Sequence, residues 1–135
     1  MEPFDKKYYF AHIKLIEHLL SNPKKIEELQ KDLDEELTKE ALMRDFASRA
    51  YYAVFLSARK TLNINGAVHS TIKNKLSKKY KILFMQLKSL RETADYNTKE
   101  EFYFPMKANG VQYYLPRVIK EVEKFLDADF NELTP

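Results

Sequence analysis

Apolar residues along this chain recur at spacings of three and four, the period of helices that each bury one face. Tyr8, Tyr9, His12, Ile13, Ile16, Leu19 and Leu20 outline a first helix of about four turns. Ser21-Asn22-Pro23 ends it and opens a second, with a capping candidate ahead of a proline at the first helical position. Ile26, Leu29, Leu33 and Leu37 mark that second segment, which has a narrow apolar stripe and much charge. A long helix is predicted from about Thr38 to Leu62. Between Ala50 and Ala58 it is apolar nearly all round, as the central member of a bundle would be.

Asn63 to Gly66 reads as a turn, and Val68, Ile72 and Leu76 outline a short helix after it. Tyr80, Leu83, Phe84, Leu87, Leu90 and Ala94 form the next long one, ending around Tyr96-Asn97. Residues 98–110 make a polar and aromatic connection. Beyond it, Tyr114, Leu115, Val118, Ile119, Val122, Phe125 and Leu126 form an ordered stripe. Pro116 is tolerated only in a first turn, so this helix is predicted to start between Val111 and Tyr114. The pattern predicts an all-α fold, an antiparallel up-and-down bundle of four to five main helices. No repeat or long linker divides the chain, so residues 1–135 are expected to form one domain.

Composition agrees with that expectation. Only two glycines and five prolines leave little turn chemistry for a many-stranded fold. The absence of cysteine excludes disulfides and thiolate metal sites. The charged N-terminal stretch lacks the apolar core of a signal peptide, and no apolar run is long enough to span a bilayer. A cytoplasmic protein without membrane contact is the expectation.

Charge changes the picture more. Net charge is only +3, yet residues Phe46 to Arg91 contain no Asp or Glu. In that span stand Arg49, Arg59, Lys60, Lys73, Lys75, Lys78, Lys79, Lys81, Lys88 and Arg91. Such a segment suits a surface that binds a polyanion, and equally a solvated basic face neutralised by acidic flanks.

In the long helix, Ala47, Ala50, Val54, Ala58 and Thr61 line one side, where small residues permit close helix approach. Tyr51, Phe55 and Leu62 form a bulkier stripe beside it. Asp45, Ser48, Arg49, Tyr52 and Arg59 carry polar tips on the remaining face. Asp45 and Arg49 stand four apart and can pair across a turn, as can Arg91 and Asp95 in "LRETADYN". With Tyr96, that second pair offers a cation, a carboxylate and a phenol able to hold a phosphate or ribose; a plain surface ion pair is the competing reading. His69 opens the short basic helix as a solvated or capping residue, or as a general base if the fold brings it to Arg91. His12 and His18 fall on different faces, which disfavours a metal site, and neither a glycine-rich phosphate loop nor another cofactor motif is present.

"SRAYYAVF" at Ser48 to Phe55, then a His-bearing basic helix, then "RETADY" at Arg91 to Tyr96, resembles the small prokaryotic branch of the HEPN superfamily. The likeness runs from about Phe46 to Asn97. It implies a helical bundle that dimerises, and RNA-cleaving toxins paired with a small nucleotidyltransferase antitoxin, defence proteins or noncatalytic binding modules. Ribonuclease members carry an Arg, then four to six intervening residues, then a His. In this chain no His follows an Arg at that spacing, and Asp95 and Tyr96 stand about where it would fall. The resemblance therefore implies binding of RNA or a nucleotide by Arg49, Tyr52, Arg91, Tyr96, Lys73 and Lys75. It leaves catalysis open, with His69, Arg91 and Asp95 as the candidates. The alternative is a noncatalytic helical protein that binds a nucleotidyltransferase or itself.

Overall fold

The computed structural model describes residues 6–31, 35–66, 69–105 and 111–135, and these residues are all-helical, without a strand. Their order is α1 (Lys6–Leu20), α2 (Pro23–Gln30), α3 (Glu35–Thr61), α4 (His69–Lys75), α5 (Lys78–Tyr96), α6 (Val111–Asp127) and α7 (Phe130–Leu133). No described helix is long and apolar enough to cross a membrane.

Helix ends follow local chemistry. Asn22 adopts an extended backbone, and its side chain accepts from the Lys25 amide, with Pro23 just inside α2. Helix α3 closes in a Schellman motif. Asn63 takes the left-handed conformation at φ 54°, its amide reaching Lys60 O and the Ile64 amide reaching Arg59 O.

The boundary between the second and third helices differs from the sequence expectation. Leu37 belongs to α3, which starts at Glu35 rather than Thr38, while Leu33 and Val68 lie outside the described residues. Helix α6 starts at Val111, within the predicted span, and this puts Pro116 six residues in rather than in the first turn. The cost is confined, because the missing N–H deprives one carbonyl near the helix start, on an exposed side. Helix α7 was not predicted. Asp129 and Glu132 form its capping box, and Leu133 is fully buried beneath it.

Helix α3 is the hub. It packs against α1, α5, α6, α2 and α4, which is why it is apolar nearly all round. Ala47, Ala50, Ala53, Val54 and Ala58 have no exposed surface, and their small side chains let the neighbours close in. One buried cluster joins α1, α3, α4, α5, α6 and α7, and Phe102 and Phe104 fold back into it from the connection after α5. Phe104 stacks on Tyr114 at 4.9 Å and meets Phe46 edge-on, so this stretch is part of the core rather than a free loop.

Candidate functional site

The two motifs meet. Positions 48, 51 and 52 lie one helical turn apart on α3, and α5 packs alongside them, carrying Arg91, Asp95 and Tyr96. Arg91 Nε donates to Asp95 Oδ2 at 3.0 Å, and its Nη2 donates to the Tyr52 hydroxyl oxygen at 2.5 Å. The Ser48 hydroxyl donates to the same Asp95 oxygen at 3.3 Å. The guanidinium also lies 5.0, 5.1 and 5.7 Å from the ring centres of Tyr52, Tyr96 and Tyr51. Its side chain is 14% exposed, whereas Tyr96 is 69% exposed beside it. A partly dehydrated cation ringed by aromatic faces is well placed for stacking and for an anion.

His69 joins from α4 through Tyr51. The fully buried Tyr51 hydroxyl and His69 Nδ1 share a hydrogen bond, and the His69 ring lies on Phe55 at 4.8 Å. Tyr51 thus stands between the two candidates, with Arg91 and His69 each 5.7 Å from its ring centre. Burial holds the His69 pKa below its ordinary value, and the Lys88 and Arg91 charges push the same way, so its imidazole is neutral at pH 7. Burial also raises the Tyr51 phenol, which stays protonated. Sequence reasoning treated Tyr51 as packing alone. The signal that points further is the phenol itself, since a buried hydroxyl requires a partner.

A hollow of about 260 Å³ opens beside this group, between α4 and α5, and His69, Lys73 and Lys88 line it. Lys88 pairs with Glu92 at 2.8 Å, and that bond holds the Glu92 carboxyl below its usual range. Lys75 is exposed on α4 and takes no part in the hollow. Arg49 does not join the Arg91 group. Its Nε lies 3.4 Å from Asp45, whose other oxygen is 3.7 Å from His12 on α1. Its side chain is 44% exposed, so this is a surface pair of small energetic weight.

Sequence reasoning missed a third group. Arg44 donates to four main-chain carbonyls: Thr93, Ala94, Asn97 and Glu100. It also pairs with Glu40 at 2.8 Å and lies over the Phe102 ring. Glu40 accepts in turn from the Phe102 amide at 2.8 Å. This brace fixes the end of α5, and with it Asp95 and Tyr96. Among the described residues no three His, Asp or Glu gather as metal ligands. No family model, curated protein or solved structure matches the chain, so a functional reading rests on this geometry and on the two motifs that compose it.

Proposed function

We propose that the chain is a HEPN-type antiparallel bundle of toxin–antitoxin or defence type that binds RNA or a nucleotide, as a homodimer and alongside a small nucleotidyltransferase. One observation carries the reading. Ser48 and Tyr52 of the first motif bond to Asp95 and Arg91 of the second, so motifs some forty residues apart build one cluster. In this reading Arg91 receives a phosphate, exposed Tyr96 stacks on a base, and Asp95 orients Arg91 or a ribose hydroxyl. The neighbouring basic segment supplies the long-range attraction.

The test is fluorescence anisotropy with a single-stranded RNA at several salt concentrations. Affinity should fall as salt rises, and Arg91→Ala should weaken binding on the order of tenfold or more. Binding that is absent, or indifferent to Arg91→Ala, sinks the proposal. A ribonuclease version runs through His69, whose neutral imidazole suits a proton acceptor. Cleavage that survives His69→Ala in a folded protein removes His69 from it.

A noncatalytic, self-associating protein is the second reading, and a different observation supports it. Ile82, Met85 and Tyr96 are 49%, 47% and 69% exposed on α5. Together with Ser89 and Glu92 they continue one helical stripe, as a partner-facing helix would. Sedimentation of Met85→Glu against the parent chain tests it, with a shift from dimer to monomer expected and no RNA bound by either form.

A further inference from the structure

The hollow between α4 and α5 has a charge balance that the Arg91 group does not share. His69 is neutral, and the Lys88 charge is offset by Glu92 at 2.8 Å. Lys73 makes no ion pair among the described residues. Buried Phe84 forms part of the wall, and Ser70 and Ser89 contribute hydroxyls. The hollow therefore carries one uncompensated positive charge, next to two groups able to donate hydrogen bonds.

Its size narrows the occupant. A volume of about 260 Å³ is roughly nine times a water molecule's share of the liquid. It has room for a phosphoryl group with part of its sugar. Position narrows it further. Lys88 and Arg91 are three apart on α5, so their side chains start about 5–6 Å from one another on the same surface. That step is of the same order as the one between successive phosphates on a strand. The groove on the other side of α5 offers no such match. It is larger, about 620 Å³, but its floor is Leu83, Leu87 and Val118, and its Arg117 and Glu121 carry opposite charges.

We infer that the hollow lined by His69, Ser70, Lys73 and Lys88 takes an internal phosphodiester next to the phosphate at Arg91, so that the ligand is a strand with consecutive phosphates rather than a mononucleotide. The inference rests on the RNA-binding reading of Arg91 and specifies its ligand. A phosphodiester carries one negative charge and matches the single net positive charge here. A terminal phosphomonoester carries about −1.5 to −2 at neutral pH and would meet the Glu92 carboxylate with its excess charge. Tyr51 links the two positions, because it touches both His69 and Arg91.

The experiment measures affinities of the whole chain for oligouridylates that lack terminal phosphates and contain one, two or three phosphodiesters. The second phosphodiester should tighten binding on the order of tenfold, the scale of one charge-assisted contact. Lys73→Gln should remove that gain and lower the slope of log affinity against log salt by about 0.7, the share of one phosphate contact on a single strand. Lys73→Arg should keep both. A 5′-terminal phosphate should add no further gain of that size. If the length dependence and salt slope are unchanged in Lys73→Gln while binding still requires Arg91, the hollow is not a phosphate position and the Arg91 reading survives. If no oligouridylate binds, both fall.

Discussion

Arg44 and Arg91 each stand four residues from a carboxylate on the same helix, and their surroundings make them different objects. Arg44 directs its donors to four main-chain carbonyls and to Glu40. Among the described residues Arg91 bonds only to side chains, the Tyr52 hydroxyl and the Asp95 carboxylate. Their exposures are nearly equal, 16% and 14% of the side chain, so burial does not separate them. Partner type does. Main-chain carbonyls cannot turn away without moving the backbone, so Arg44 is committed to the four it meets. Side-chain oxygens can turn away, so Arg91 can exchange a partner for a phosphate. One arginine closes the fold, and the other is the one to which the proposed ligand is assigned.

The largest expected effect therefore belongs to the residue without a proposed ligand. Arg44→Ala removes a donor from four carbonyls and one carboxylate, of which Thr93 O keeps the Asn97 amide and Glu40 the Phe102 amide. It should cost about 3 kcal/mol of unfolding free energy, read from denaturant midpoints at an unchanged slope. Arg91→Ala should cost about 1 kcal/mol, because the groups it leaves behind can rotate toward water. A stability loss at Arg91 equal to that at Arg44 would erase the distinction.

Next in size is the contrast between the two carboxylates. Glu40→Gln should destabilise the fold, since Glu40 holds both Arg44 and the Phe102 amide. Asp95→Asn should change stability by only a few tenths of a kcal/mol, as expected of a half-open pair across one helical turn. It should also weaken RNA binding several-fold, because Asp95 orients Arg91 or a ribose hydroxyl. Tighter binding in Asp95→Asn, with the fold intact, would instead make Asp95 an anion that competes with the ligand for Arg91.

The same distinction explains how much the sequence disclosed. Helical periodicity identified α1, α3, α5 and α6, and the Asn22-Pro23 start was legible because capping is local chemistry. Arg91, Asp95 and Tyr52 were legible as candidate residues because they are side chains of recognisable type, and the structure brings them together. Arg44 was not, because the carbonyls of Thr93, Ala94, Asn97 and Glu100 leave no mark in the residue pattern. Arg49 looked as promising as Arg91, yet its pair with Asp45 sits on the α1 side, and periodicity does not fix which neighbour covers a face. Helix α7 did leave a trace, Asp129 followed three residues later by Glu132, but four residues are too short for a periodic signal.

The smallest effect separates the two regions by pH. Burial, with Lys88 and Arg91 acting the same way, holds His69 below its ordinary 6.5. The unfolded chain therefore binds more protons there, and stability falls as pH drops from about 6.5 through the folded-state value. Glu40 is held below its ordinary 4.5, mainly by its bond to Arg44 and then by the Phe102 amide. Its contribution is complete above 4.5 and is lost as pH falls through its own lower folded value. Both losses occur on acidification, in separate windows. Denaturant midpoints measured from pH 7.5 to 3 should show a first decline that His69→Gln flattens and a second that Glu40→Gln flattens. Glu92 titrates in the second window too, since Lys88 lowers it, so Glu40→Gln should leave part of that decline in place. The first decline should also shrink when an oligouridylate is bound, because a phosphate beside His69 favours the imidazolium and raises its pKa. A first window indifferent to the oligouridylate would place the strand away from His69, leaving Arg91 to bind it alone.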